Sequence, residues 1–160
     1  STQSRSSAAS DVYKRQAPTG AGALQAMRAA LRSADLAPAD IGWVNLHGTG
    51  TPHNDAMESL AVHALFAQGV PCASTKPLTG HALGAAGALE AALAWITLAP
   101  ANADGRLLPH VWDGQPDPSL PALDFTTVQH RYAAGRPRVA MSNSFAFGGN
   151  NASLILGTPS

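Results

Sequence analysis

Two histidine-bearing loops, each placed between an apolar segment and a helical pattern, constrain this fold more than any other feature of the sequence. HGTGT at residues 47–51 follows the apolar segment 41–46, and KPLTGH at residues 76–81 follows the apolar segment 70–74. Short apolar runs bounded by turn residues are typical of buried strands. Alternation of such strands with helices favours α/β layering, in which both loops lie beyond the carboxyl ends of strands in one sheet.

Helical and strand patterns account for much of the remaining chain. The spacing of apolar residues predicts a helix over 20–34, and capping residues predict a second helix that begins near 51–55. Residues 81–98 are rich in glycine and alanine and apolar on every side, which predicts a long buried helix. Two closing strands are predicted at 138–143 and 152–156. The fold class expected from these patterns is α/β.

The composition is that of a single domain with a sizeable core. Of the 160 residues, 45% are hydrophobic and 12% are charged, so much of the chain must be buried or must face another protein surface. The net charge is zero, without a basic stripe or polybasic cluster, which excludes nucleic acid and anionic membranes as partners. The single cysteine, Cys72, is expected to be a buried, inert thiol. One cysteine and no signal-peptide pattern favour a cytoplasmic location.

Residues 1–16 differ in composition from the rest of the chain. Their sequence, STQSRSSAASDVYKRQ, is rich in serine and arginine and has no sustained apolar period, which predicts disorder. The segment also resembles a translated adaptor, so we expect it to be non-native. The boundaries predicted from the sequence are therefore a tail at 1–16 and one domain at 17–160.

The first loop combines an imidazole with hydroxyl groups and glycines. Gly48 and Gly50 permit positive φ and a close approach of ligand to backbone, and Thr49 and Thr51 offer hydroxyls that donate and accept. A lone histidine at the end of a strand, here His47, is usually a structural side chain. The glycines and threonines beside it favour the alternative, a functional site at the edge of the sheet.

The second loop has the same arrangement with an added cation. His81 is predicted to lie in the first turn of the 81–98 helix, where the helix dipole disfavours an imidazolium and keeps the ring neutral. Glu90 lies on the same apolar helix, and a buried carboxylate needs a partner. We expect Lys76, His81 and Glu90 to form one polar network. The alternative is that Glu90 points to solvent and Lys76 is an ordinary exposed lysine.

No metal site is predicted from the sequence. Zinc sites place histidines, cysteines or carboxylates at short, regular intervals, and the histidines outside the two loops lie in polar or helical contexts without such spacing. They are expected to be surface or packing residues: His53, His63, His110 and His130.

The segment SNSFAFGGNN, at residues 142–151, allows two interpretations. It can be a tight turn between two strands, with Phe145 and Phe147 in the core. It can also be a mobile loop hinged at Gly148 and Gly149, with a backbone N–H that points into the site. Periodicity does not choose between them.

Four segments resemble, in order and spacing, the β-ketoacyl-acyl carrier protein synthases, the decarboxylating condensing enzymes of fatty-acid and polyketide assembly. They are GAGALQAMRAAL, VNLHGTGTPHNDAMES, STKPLTGHALGAAGALEAAL and SNSFAFGGNNASLILG. The resemblance covers nearly everything after residue 16, but only the C-terminal half of the family's thiolase-like fold. It implies a mixed sheet layered with helices. It also implies that the nucleophilic cysteine belongs to the other half, so the chain alone is expected to be inactive.

The resemblance implies a cysteine-histidine-histidine site. In it, His47 and His81 hold the enolate oxygen of a decarboxylating malonyl thioester, and one such donor can contribute about 3 kcal/mol. Lys76 and Glu90 match a supporting pair that orients and tunes His81. Phe145 matches a gating residue with a backbone N–H that serves an oxyanion hole. The residues implied to line the phosphopantetheine channel or to let the gating loop move are Thr49, Thr51, Phe147, Gly148 and Gly149.

The leading hypothesis is therefore the C-terminal portion of a 3-oxoacyl-acyl carrier protein synthase. Its substrates would be carried on the phosphopantetheine of acyl carrier protein, without a permanently bound cofactor, and the parent would be a homodimer or a ketosynthase heterodimer. A second hypothesis is a non-catalytic, chain-length-factor-type subunit of such a heterodimer, but retention of both loop histidines and Lys76 argues against it. A third, a thiolase-like acyl-CoA enzyme, is disfavoured by HGTGT and GHALGAAG.

Overall fold

The described residues fold around a five-stranded sheet. A computed structural model of the chain describes residues 19–146 and 149–158. Its strands are β1 (Trp43–Asn45), β2 (Pro71–Ala73), β3 (Asp124–Phe125), β4 (Val139–Phe145) and β5 (Asn151–Gly157). Its α-helices are α1 (Ala21–Ala34), α2 (Pro52–Leu65), α3 (Lys76–Thr79) and α4 (Ala86–Leu98), with 3₁₀ turns at Pro38–Asp40 and Leu83–Ala85.

The sheet is mixed, with the strand order β3-β2-β1-β4-β5. β1 lies parallel to both β2 and β4, and β2 lies parallel to β3, whereas β4 and β5 form an antiparallel pair. Parallel neighbours need a crossover connection, and α2 makes one between β1 and β2. The carboxyl ends of β1, β2 and β4 therefore meet at one edge of the sheet. This confirms the placement predicted for the two histidine loops.

Both faces of the sheet carry a buried core. Val44 of β1 belongs to the cluster formed with Met27 of α1 and Met57 of α2. Its neighbour Trp43 belongs to the cluster on the opposite face, with Ala94 of α4. Alternate residues of a strand point to opposite faces, and full burial of one such large side chain contributes about 2 kcal/mol. The result is the layered α/β arrangement predicted from the sequence.

Most of the predicted elements are confirmed. α1 and α2 occur where the apolar spacing and the capping residues place them. The closing strands β4 and β5 are also present, and each is slightly longer than the segment predicted for it. β1 and β2 span only three residues each, so the apolar segments around them extend beyond the hydrogen-bonded ladder.

The start of the long Gly- and Ala-rich helix was predicted wrongly. α4 begins at Ala86 rather than at residue 81. Gly80 has φ 72° and Leu83 has φ 49°, and an α-helix of L-residues cannot continue through left-handed backbone. The chain between α3 and α4 is therefore an irregular segment that carries His81, followed by a single 3₁₀ turn.

α4 is buried on its sheet side and exposed on the other. Ala94 and Thr97 are almost fully buried, whereas Trp95 and Ile96 are 58% and 56% exposed. We call the exposed side the α4 apolar face and define it as Leu89, Ala92, Trp95 and Ile96. The sequence predicted that this helix is buried on every side, but in this chain only the side of α4 that faces the sheet is buried. None of the helices in residues 19–146 and 149–158 is long and apolar enough to span a membrane.

The α4 apolar face predicts self-association of the isolated chain. Replacing Trp95 and Ile96 together by serine should increase the monomeric fraction, because it removes most of the exposed apolar area of that face. Val128→Ser is the control, since Val128 is 69% exposed but lies outside the face. Static light scattering on purified chain measures the effect. A wild-type chain that is monodisperse and monomeric would contradict the prediction.

Candidate active site

The two histidine loops and the end of β4 converge at one edge of the sheet. His47 follows β1, Lys76 begins α3 shortly after β2, and Phe145 is the last residue of β4. Glu90 reaches the same place from α4, which packs on one face of the sheet. The site is thus built from three parallel strand ends and one helix.

Lys76 is the central cation of this site. It is 7% exposed, and its ammonium group donates to the Glu90 carboxylate and to the backbone carbonyl of His47. Glu90 is 1% exposed, so the alternative in which it points to solvent is wrong. A buried ammonium and a buried carboxylate must be paired to remain charged. The polar network expected from the sequence therefore exists for Lys76 and Glu90.

The ammonium of the ion pair contacts His47, and its carboxylate interacts electrostatically with His81. The Lys76 ammonium lies 3.5 Å from Nδ1 of His47, and its other contacts are those to the His47 carbonyl and Glu90. The resemblance implies that the pair orients and tunes His81, and the charge interaction between Glu90 and His81, which opposes the rise in the pKa of Glu90, is in line with that expectation.

Burial and neighbouring charge keep the His47 ring neutral. Desolvation, the Lys76 ammonium and His81 together lower the pKa of His47 to about 4. An ammonium beside Nδ1 favours a lone pair on that nitrogen, which leaves the proton on Nε2. Burial raises the pKa of Glu90, and the hydrogen bond and charge of Lys76, together with the charge of His81, oppose that shift. His47 is thus a neutral Nε2–H donor at physiological pH.

His81 lies beside His47 but outside the helix. The two ring centroids are 5.6 Å apart, with the planes at 84°, and the His47 ring is 6.0 Å from that of Phe145. His81 is exposed and precedes α4 by several residues. The prediction that it lies in the first turn of the helix is wrong, so the helix-dipole argument for its neutrality does not apply. The expected proximity of the two imidazoles, however, is present.

The glycines of the first loop are required by its geometry. Gly48 has φ 41°, and a Cβ placed there would lie 2.5 Å from the Ser74 side chain. Gly50 has φ 73° with open space around it, so only its backbone conformation demands glycine. The hydroxyls of Thr49 and Thr51 are 3.0 Å apart and hydrogen-bonded. The loop therefore presents hydroxyls beside a backbone that a ligand can approach.

The segment after β4 is the connection of a hairpin. Phe145 is 3% exposed and pairs with Asn151 across β4 and β5, and the Ala146 N–H donates to the Asn150 carbonyl at 2.9 Å. Gly149 is exposed with φ 79°. The turn interpretation thus fits the described part of the segment. Phe147 and Gly148 lie outside the described residues.

The sequence interpretation missed a second buried carboxylate. Glu58 of α2 is 2% exposed, and its two oxygens accept the backbone N–H groups of His47 and Gly48, each at 2.8 Å. Burial raises its pKa to about 7. The available signal was helical spacing, because Asn54, Glu58 and Ala61 follow the i, i+4, i+7 pattern of a buried stripe.

A groove of about 1070 Å³ opens beside the site. Lys76 and His81 line one part of it, and an aromatic cluster of His110, Trp112 and Phe125 lines another. The His110 ring stacks on Phe125 at 4.2 Å, and its Nδ1 accepts the Ser74 N–H at 3.1 Å. His110 therefore packs against its neighbours, as predicted.

Chemically, the site suits an oxygen atom that gains negative charge. It offers a neutral imidazole N–H at His47, a second imidazole beside it at His81, and the buried cation of Lys76. The last two line a groove that also carries hydroxyl side chains. Donors that are fixed in advance stabilise such charge without reorganising. No cluster of three or more metal-ligating side chains was found within residues 19–146 and 149–158.

Known proteins with similar sequences and structures share one family. The family model "Beta-ketoacyl synthase, C-terminal domain" matches residues 3–103. A 3-oxoacyl-[acyl-carrier-protein] synthase 2 of Staphylococcus aureus is 37% identical over 142 residues, covering 87% of this chain and 34% of that protein. The chain thus spans about a third of the length of the curated relatives it matches.

Two solved structures show the same fold. A chain from the ketosynthase ApeO in complex with its chain length factor ApeC, from Xenorhabdus doucetiae, matches with TM-score 0.79 and 45% identity, over 94% of this chain and 36% of that one. A β-ketoacyl synthase from Burkholderia phymatum STM815 matches with TM-score 0.76 and 36% identity, over 91% of this chain and 34% of that one.

The ion pair predicts a strongly non-additive stability effect. Lys76→Met should cost about 3–5 kcal/mol in unfolding free energy, because it leaves the Glu90 carboxylate buried and unpaired. Lys76→Met combined with Glu90→Leu should recover most of that loss. Arg106→Met is the control, since Arg106 pairs with Asp104 at 3.2 Å on the exposed surface and should change stability by less than about 1 kcal/mol. Urea unfolding measures the free energy of unfolding of the single variant, the double variant and the control. Additive losses in the double variant would contradict the prediction.

Proposed function

Because the chain belongs to the β-ketoacyl synthase family, we propose that the protein of which it forms the C-terminal domain is a 3-oxoacyl-acyl carrier protein synthase. The proposed reaction is the decarboxylative Claisen condensation of malonyl-acyl carrier protein with an acyl thioester, in fatty-acid or polyketide-type synthesis. The observation that carries the proposal is the neutral His47 ring, held beside Lys76 with its centroid 5.6 Å from that of His81.

The proposed chemistry has two steps after an acyl group is loaded on a cysteine. First, the bond between the malonyl α-carbon and its carboxylate breaks, carbon dioxide leaves, and the electron pair enters the enolate of the thioester. Nε2–H of His47 and a ring N–H of His81 donate to the enolate oxygen. The enolate carbon then attacks the acyl thioester carbonyl, and the cysteine thiolate leaves.

We assign the nucleophilic cysteine to a part of the protein outside this chain. Cys72 is fully buried in β2, its Sγ lies 3.5 Å from the Asp124 carbonyl, and burial raises its pKa well above the ordinary range. A reactive thiol needs access and a lowered pKa. The chain alone should therefore catalyse no condensation.

The remaining site residues receive roles by resemblance. Lys76 and Glu90 serve as the supporting pair that orients and electrostatically tunes His81, and Phe145 serves as the gate and as an oxyanion-hole donor through its backbone. The residues proposed to bind the phosphopantetheine arm or to let the gating loop move are Thr49, Thr51, Phe147, Gly148 and Gly149. We propose acyl carrier protein as the partner, no permanently bound cofactor, a dimeric parent, and a cytoplasmic location.

A chain-length-factor-type subunit is the alternative. One matched structure contains a ketosynthase together with its chain length factor, so similarity alone does not separate the two roles. The complete arrangement of His47, Lys76, His81 and Glu90 supports the enzyme, because a non-catalytic subunit has no need for a buried, costly ion pair beside a neutral imidazole.

In the full-length protein, His81→Ala should impair malonyl decarboxylation strongly and acyl transfer to the cysteine much less. The reason is that the donor to the enolate oxygen acts only once the carboxylate begins to leave. Loss of one such donor corresponds to about a hundredfold or more in rate. Release of carbon dioxide from malonyl-acyl carrier protein and acylation of the enzyme are measured separately.

His63→Ala provides the control for this experiment. His63 lies exposed on α2, away from the strand ends that form the site, and its replacement should leave both partial reactions unchanged. Equal loss of both reactions in His81→Ala would count against the assigned role. A wild-type protein that releases no carbon dioxide would favour the chain-length-factor alternative.

A further inference from the structure

We infer that Glu58 is a positioning residue for His47: its carboxylate holds the N–H groups of the two peptide bonds that flank the histidine and so sets the direction of the ring. The inference rests on the proposed function, because it assigns Glu58 to the same oxygen-binding site. Glu58 lies on α2, outside the loops from which the site was predicted.

The contact is bidentate and buried. One Glu58 oxygen accepts the His47 N–H and the other accepts the Gly48 N–H, each at 2.8 Å. The carboxylate sits on a 14-residue helix that packs into the core through Met57 and Ala61. Two hydrogen bonds to one planar group restrict both the position and the rotation of the two successive peptide bonds that donate them. The turn is therefore fixed to a rigid element rather than to another loop.

The carbonyl groups of the same turn are held by residues that follow β2. Lys76 binds the His47 carbonyl, and the Ser74 hydroxyl donates to the Gly48 carbonyl at 2.8 Å. The backbone N–H and carbonyl groups of His47 and Gly48 are thus all hydrogen-bonded. Only the side-chain torsions of His47 remain free to rotate. Without Glu58, the two N–H groups would lose their buried acceptor and the turn could relax.

The carboxylate is itself supported from the far strands. The Asn143 side-chain amide lies 3.5 Å from a Glu58 oxygen, and the Ser153 hydroxyl donates to Asn143 at 2.8 Å. The Asn143 side chain therefore directs its N–H₂ group toward Glu58, because its amide oxygen already accepts the Ser153 hydroxyl. This relay joins β5, β4 and α2 to the turn that carries His47.

Protonation of Glu58 would weaken this hold near neutral pH. Its pKa is raised to about 7, so a falling pH replaces one acceptor oxygen by a hydroxyl that faces an N–H donor. The ionisable groups around it are the Lys76 ammonium, which favours the carboxylate, the Cys72 thiol of β2, and Asp55 one turn earlier on α2. The His47 ring, with a pKa of about 4, keeps its charge state over this range.

The test compares Glu58→Gln with Asp124→Asn in the full-length protein. Both exchange a carboxylate for an amide beside the groove, but Asp124 has no bond to the His47 turn. Glu58→Gln should lower kcat for malonyl decarboxylation about tenfold or more, with KM and acyl transfer nearly unchanged. It should also remove a fall in kcat that the wild-type protein shows as pH drops through about 7. Asp124→Asn should behave as wild type.

A second measurement does not depend on activity. With ¹⁵N-labelled histidine and glycine, the wild-type His47 and Gly48 amide protons should shift together with an apparent pKa near 7, and this titration should vanish in Glu58→Gln. Equal loss of both partial reactions with a lower Tm would make Glu58 merely structural and overturn the inference. So would amides that do not titrate. A wild-type protein without decarboxylase activity but with titrating amides would refute the proposed function while leaving the Glu58 contact in place.

Discussion

The buried ammonium group of Lys76 is the interaction on which the site depends. It connects the end of β2 to the His47 carbonyl after β1 and to Glu90 on α4. One side chain therefore bonds two strand ends of the sheet to the helix that packs on one of its faces. The same charge lies beside Nδ1 of His47 and helps to keep that ring neutral. Structural and chemical roles therefore coincide, because the cation that holds the elements together also selects the tautomer that donates from Nε2.

The sheet topology explains why these groups meet. β1, β2 and β4 are parallel neighbours, and their carboxyl ends deliver His47, Lys76 and Phe145 to one edge. Helices on both faces then contribute one carboxylate each. Glu58 holds the amide side of the His47 turn, and Glu90 balances the charge of the cation. A fold with these residues on loops alone would have no comparable means of fixing the directions of the rings.

The sequence predicted the layers, the strand ends and the meeting of the two imidazoles, because apolar periodicity and loop composition are local signals. It did not predict that α4 begins only at Ala86, since that depends on the left-handed backbone at Leu83, a residue with no propensity for it. Nor did it identify Glu58 or the contact of Lys76 with His47. Helical spacing places Glu58 on the buried stripe of α2, but the partners of Glu58 and Lys76 are reached through tertiary hydrogen bonds, which a single sequence does not show directly.

The most direct test of the central claim is the protonation state of the His47 ring in the full-length protein. Ring ¹⁵N shifts measured across a pH titration report both the charge and the tautomer. The geometry predicts a neutral ring with its proton on Nε2 at physiological pH, and protonation only as the pH approaches about 4. A ring that protonates near the ordinary value of 6.5, or one that carries its proton on Nδ1 at neutral pH, would contradict the role given to Lys76 and to the site built around it.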